Sequence, residues 1–176
     1  MSADPAFEAW LKALPASPKD TGRVVRCVVR PRSGARELVE EIDVDPKLGV
    51  AGDLFGLGRR GSPKRQVSLI NAHVLASFAG PDPLRAAQSG DNLVVDLDLS
   101  EENLPAGTRL AAGTAELEVS DVVYDPCGAF QERFGAEAVR LALSAMRHGL
   151  RGRGVLCSVV RAGTIRAGDA IAVRRP

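Results

Sequence analysis

Apolar residues in this chain fall in short runs or in strict alternation, and glycine or proline interrupts almost every run. Such a pattern predicts many short strands and few helices. Residues 23–30 (RVVRCVVR) are rich in valine, predict a strand, and stop at Pro31. Residues 38–44 predict a second strand, with Asp45-Pro46 and Gly49 as turn signals. Residues 66–70 (QVSLI) predict a third, and the alternation in 93–99 (LVVDLDL) predicts a fourth. Residues 109–112 and 115–124 predict a hairpin turning at Gly113. Residues 155–160 and 170–173 predict closing strands joined through Gly163 and Gly168.

Helical spacing appears in few places. Asp4 and Pro5 read as an N-cap and first helical position, followed by Phe7, Trp10, Leu11 and Leu14, and Pro15 and Pro18 end the segment. It predicts a short amphipathic helix docked on the core, with a partner-binding helix as the alternative. Asn71 is placed to cap a short helix through Phe78, and a further short segment lies near residues 84–88. Residues 134–148 predict a helix with Val139, Leu143 and Met146 on one side and Gly149 as C-cap. Residues 51–65 read as a glycine-rich basic loop. Segments 106–117 and 162–173 resemble each other, but two copies indicate reused hairpin chemistry and not a solenoid. The sum is a mainly β fold, a barrel or a strongly bent sheet with a few short peripheral helices. Residues 1–20 read as a helical extension and 21–176 as one β domain.

Composition narrows the function. The 176 residues suit one core, and 45% hydrophobic content is ordinary for a globular chain. Aromatics are only 4%, so the core must be aliphatic. A net charge of +1, with both signs mixed, gives no electrostatic case for nucleic acid or anionic membrane. No apolar run approaches the roughly 20 residues a membrane helix needs, and acids stand where a signal peptide needs a basic flank. A cytoplasmic location is therefore expected. Three cysteines are too few for a disulfide scaffold, and each is weighed as a free thiol.

Cys127 sits in Tyr124-Asp125-Pro126-Cys127-Gly128, a loop after a strand, where a thiol can face a pocket. Pattern alone leaves a functional thiol and an inert small hydrophobe about equally supported. Cys27 and Cys157 stand among valines in predicted strands and read as buried. His73 and His148 lack metal-ligand companions, and neither a phosphate loop nor a Ser-His-Asp set is suggested. Basic residues gather at Arg59, Arg60, Lys64 and Arg65, and again in Leu150-Arg151-Gly152-Arg153-Gly154. Glycines let backbone amides approach an anion, and arginine grips phosphate with two donors. Two solvated basic loops are the plain alternative.

In chain order there is a Gly-x-x-Gly-Asp turn at 49–53 (GVAGD) and an Arg-Gln-Val run in 65–71 (RQVSLIN). An Asn-Leu pair follows in 91–95 (DNLVV), then the hairpin 104–119 (LPAGTRLAAGTAELEV), Pro126-Cys127, and the closing segments 151–160 and 163–169. In that order they resemble the MOSC domain, the family named after the C-terminal part of molybdenum cofactor sulfurases. The resemblance spans about residues 22–173.

It implies a closed or partly closed β-barrel that binds the molybdenum cofactor (molybdopterin). Cys127 would be the thiolate ligand of molybdenum and the catalytic centre, soft sulfur suiting that metal. Lys64, Arg65, Asn92 and Arg153 become the candidates for contacts to the cofactor's phosphate or pterin. The implied activity is that of an oxidoreductase reducing small N-hydroxylated substrates with electrons from a separate reductase. The alternative is a sulfur carrier, with a Cys127 persulfide loaded by a cysteine desulfurase in trans, or a cofactor-delivery protein without turnover. A third reading is a binding domain that kept the fold and lost the site. No pyridoxal phosphate is expected in this domain alone. Two positions depart from the family pattern: Leu54-Phe55 follows Gly-Asp where many relatives carry Arg-His, and Gly90-Asp91 precedes Asn92 where many carry Arg-Glu or Arg-Arg. Either Arg59 and Arg60 restore that charge, or cofactor binding is altered.

Overall fold

A computed structural model describes residues 4–55 and 62–175. The chain runs α1 (Pro5–Ala13), β1 (Thr21–Val29), β2 (Glu37–Val39), β3 (Glu41–Asp45), β4 (Gly49–Val50) and β5 (Val67–Asn71). Then come α2 (Ala72–Ala79), α3 (Pro83–Ala87), β6 (Leu93–Asp96), β7 (Arg109–Ala112), β8 (Ala115–Val119) and α4 (Gly128–Arg147). The last strands are β9 (Val155–Arg161), β10 (Gly163–Arg166) and β11 (Ala170–Arg174). Seven strands close on themselves in the order β1-β11-β7-β8-β9-β5-β6 and back to β1. Closure leaves those strands without open edges. β2 extends the sheet past β1, and β10, β3 and β4 form a small second sheet. β5 and β6 are parallel neighbours, so the chain must cross over between them, and α2 and α3 make that crossing.

The hydrophobic pattern explains which strands sit where. Leu69, Leu93 and Val95 point into the barrel, while Ile70 and Val94 point outward into a second cluster with Leu75, Phe130 and Phe134. β5 and β6 are therefore buried on both faces, which is why their sequences are almost continuously apolar. β7 and β8 instead alternate buried and half-buried positions, and their outward Arg109, Glu116 and Glu118 form ion pairs. The barrel interior is aliphatic, as the composition required. Most of the aromatics line the helical side: Phe7, Trp10, Phe78, Phe130 and Phe134 run in successive ring contacts of 4.9–6.0 Å. The Trp10 indole N–H donates to Ser77 Oγ at 2.9 Å, which fixes α1 against α2.

The N-terminal caps behave as the sequence indicates. Asp4 accepts from Ala6 N with Pro5 in the first turn, and Asn71 accepts from His73 N and Val74 N. Four boundaries differ. The predicted strand over 38–44 splits at Glu40 into β2 and β3, which belong to different sheets. β8 ends at Val119 because Ser120 Oγ accepts from Val122 N and turns the chain away. The predicted link at Gly163 is itself a strand, β10. Helix α4 begins at Gly128, six residues before the predicted start, with non-helical Gly135 (φ 87°, ψ 167°) inside it. Among the described residues no helix is long and apolar enough to cross a membrane.

Candidate functional site

The loop from Ser120 to Cys127 carries the chain from β8 to α4. Its last residue, Cys127, is exposed and occupies the N-cap position of α4 without a side-chain capping bond. The other two cysteines are fully enclosed. Burial, together with Asp169 and Glu41, pushes the Cys27 thiol up to about 11, and burial pushes Cys157 up to about 12. Both stay protonated and shut away at neutral pH, so only Cys127 can meet a ligand. A maleimide at pH 8 is expected to modify one thiol per native chain, at Cys127, by intact mass and peptide mapping. Native labelling at Cys27 or Cys157 would contradict the barrel packing.

Two buried ion pairs hold the ground beneath the loop. Arg153, 4% exposed, donates to Asp91 Oδ2 at 2.7 Å and to Tyr124 Oη at 2.7 Å. Its guanidinium lies over the Tyr124 ring at 4.1 Å and the Phe130 ring at 4.8 Å. Tyr124 Oη in turn donates to Asp91 Oδ1 at 2.9 Å. Burial, and then the Asp91 carboxylate, push the Tyr124 phenol up, so it stays a donor. Burial alone would lower the Arg153 pKa, but Asp91 and Tyr124 more than offset it and the net shift is upward. Tyr124 stands three residues before Cys127, so this network anchors the cysteine loop.

The second pair is Arg30 with Asp53. Arg30 donates from Nε and Nη2 to the two carboxylate oxygens, both at 3.0 Å, and its guanidinium lies over Phe55 at 4.4 Å. Asp53 also accepts from the backbone N–H of Arg30 and of Phe55. Burial would raise the Asp53 pKa, yet the Arg30 hydrogen bonds dominate and hold it below the usual carboxylate range. A further arginine lies close to Arg30. Arg36, from the β1–β2 connection, feels the charges of Arg133, Arg30, Cys127 and Tyr124. Burial first, and then the neighbouring arginines, lower its pKa. The exposed Cys127 thus lies within the electrostatic reach of Arg36 and of buried Arg153, surroundings suited to a soft-metal or sulfur-bearing group with negative charge.

The residues singled out from sequence separate into layers. Cys127 and Arg153 come together, Cys127 being one of the charges that act on Arg153. Asn92 is fully buried: its amide donates to Val28 O and Asp53 and accepts from Arg30 and Ser68, so it belongs to the Arg30–Asp53 network. Lys64 is 54% exposed and paired with Asp121, on the cysteine loop, at 2.8 Å. Arg65 is exposed beside it in a short 3-10 turn. Arg59 and Arg60 lie outside the described residues. Sequence reasoning missed Arg30, Arg36, Arg133 and Tyr124. A signal existed only for Arg30, whose partner Asp53 closes the Gly-x-x-Gly-Asp turn. His73 pairs with Asp96 and His148 stacks on Phe7, and among the described residues no group of three or more histidine, cysteine, aspartate or glutamate side chains is placed to hold a metal ion.

The MOSC domain profile matches residues 57–172, more than half of the chain. No curated protein matches the sequence. Among solved structures, the YuaD protein from Bacillus subtilis is 22% identical with a TM-score of 0.65, over 87% of this chain and 95% of that one. YiiM from Escherichia coli is 22% identical with a TM-score of 0.56, over 88% of this chain and 70% of that one. YiiM from Geobacillus stearothermophilus is 17% identical with a TM-score of 0.58, over 88% of this chain and 75% of that one. At these identities the likeness is one of fold.

Proposed function

Since the chain belongs to the MOSC domain family, we propose that it holds the molybdenum cofactor through Cys127 and reduces small N-hydroxylated compounds. The observation that carries this reading is the contrast among the thiols: one exposed within reach of arginine charges, two enclosed in the barrel. The residues present fit the group. Cys127 offers an accessible soft ligand, and the buried Arg36 Nε, without a partner among the described residues, asks for an acceptor. When bound, the cofactor supplies two-electron redox chemistry. Reducing an N-hydroxyl group breaks the N–O bond, consumes two electrons and two protons, and releases water.

The chain's own part is to present the sulfur and fix its surroundings. The Arg153–Asp91–Tyr124 network sets the loop, and Lys64 ties the same loop to the β5 side through Asp121. Electrons come from a separate reductase. The unpaired cysteines suit a reducing, cytoplasmic compartment.

Molybdenum content, measured by mass spectrometry on protein from a cofactor-producing host, tests the reading. Wild type is expected to retain molybdenum and Cys127→Ser to lose most of it. Equal content in the two proteins, or none in either, defeats the proposal. A reducible gain of one sulfur on Cys127 after exposure to a cysteine desulfurase, in protein without molybdenum, would favour a sulfur carrier instead.

A further inference from the structure

A cavity of about 330 Å³ opens between α1, α2 and the C-terminal end of α4, while Cys127 caps the opposite end of that helix. Trp10, Leu11 and Leu14 form its α1 wall, Val74 its α2 wall, and Leu150 closes it beyond α4. Sites for small molecules span roughly 300–1,000 Å³, so this one suits a single small ligand and not a partner helix. Two of its polar residues are already engaged. Asn71 Nδ2 donates to Ser17 Oγ at 2.9 Å and to Leu97 O at 3.0 Å, and Ser17 Oγ donates to Asp96 at 2.7 Å. Lys19 and Asp98 are different. One buried amide pins both backbones: Asn103 Nδ2 donates to Lys19 O at 2.9 Å and to Asp98 O at 2.7 Å. Asp98 Oδ1 accepts from Ser100 N at 2.9 Å, which fixes the carboxylate, and Oδ2 accepts no hydrogen bond among the described residues. Lys19 is exposed, and its ammonium makes no ion pair among the described residues. The fold therefore places a cation and a carboxylate on one apolar cavity and pairs neither.

We infer that this cavity binds a free α-amino acid with an apolar side chain of about leucine size. The ligand carboxylate pairs with Lys19, the ligand ammonium pairs with Asp98 Oδ2, and the side chain lies among Trp10, Leu14 and Val74. A purely apolar ligand would use neither charge, and an acid or an amine alone would use one. Burial of the side chain drives binding, and the pinned carboxylate is in place before the ligand arrives. The inference is independent of the cofactor reading, since the cavity shares no residue with the surroundings of Cys127.

Leucine titrated into the full chain, followed by tryptophan fluorescence and by calorimetry, tests the site. Trp10 is the chain's single tryptophan, so the fluorescence reports on this cavity wall. Leucine is expected to bind wild type. Glycine, N-acetyl-leucine and leucinamide are each expected to bind about tenfold more weakly or worse, since each lacks one of the proposed contacts. Lys19→Gln is expected to weaken leucine by a similar factor and to leave leucinamide unchanged. Asp98→Asn, which keeps an acceptor for Ser100 N, is expected to weaken leucine and to leave N-acetyl-leucine unchanged. A merely structural role for either residue would not produce this match of variant to ligand. Cys127→Ser is expected to bind leucine as wild type does. Absence of leucine binding by both readouts, leucinamide binding as tightly as leucine, or loss of leucine binding in Cys127→Ser overturns the inference.

Discussion

Gly154→Ala is expected to destabilise the fold by more than about 4 kcal/mol, among the largest effects of any single methyl group in this chain. Gly154 sits at φ +103° just before β9, and a Cβ there would meet the carbonyl oxygen of Leu69 at 2.1 Å and its carbon at 3.1 Å. Those atoms are backbone, in a strand whose register pairs Leu69 with Val155. The neighbour can yield only by breaking the β5–β9 ladder that closes the barrel. Left-handed strain adds roughly 1–2 kcal/mol to that clash. Gly168→Ala separates the two contributions, since Gly168 has φ +96° but nothing within 4 Å of its Cβ position. It is expected to cost only the strain, about 1–2 kcal/mol. Urea unfolding of both variants measures the difference. If the two lose similar stability, the close approach of β9 to β5 is not rigid and the packing argument fails.

Gly154 also shows where sequence reading reaches its end. The Arg-Gly-Arg-Gly segment at 151–154 reads naturally as an anion-gripping loop. In the fold its glycines serve packing: a Cβ on Gly152 would lie 2.7 Å from Ala145 Cβ on α4, as one on Gly154 would strike β5. Both readings predict glycine, and only three-dimensional proximity distinguishes them. The strands were legible because burial on one or two faces writes itself into local alternation, as QVSLI and LVV show. The start of α4 was hidden because Gly135 interrupts it, and the apolar Val122–Tyr124 stretch imitated a strand although Val123 is 66% exposed. The exposure of Cys127 was legible from its loop context. The buried arginine pairs were not. Arg30 meets Asp53 across 23 residues and Arg153 meets Asp91 across 62, separations that no periodicity records. Arg36 looks like any solvated loop arginine until Gly90 is folded against it.

Arg153→Met is expected to destabilise the protein by about 3–5 kcal/mol, because it leaves the Asp91 carboxylate buried without its cation. Asp91 is 0% exposed and would keep only the Tyr124 hydroxyl and its own local bonds. The double variant Asp91→Asn/Arg153→Met is expected to recover much of that loss, since a neutral amide needs no counter-charge. Recovery would mean that the pair adds little net stability over a neutral substitute. What it adds is position. Asp91 and Arg153 hold the Tyr124 hydroxyl from two sides, and the Arg153 guanidinium covers the rings of both Tyr124 and Phe130, which flank Cys127 in sequence. The double variant should therefore fold yet hold the cysteine loop loosely, which predicts faster maleimide labelling of Cys127 and lower molybdenum retention at near-wild-type stability. If the double variant labels at the wild-type rate and retains wild-type molybdenum, the buried pair has no part in placing the sulfur, and the loop must be held by its other contacts.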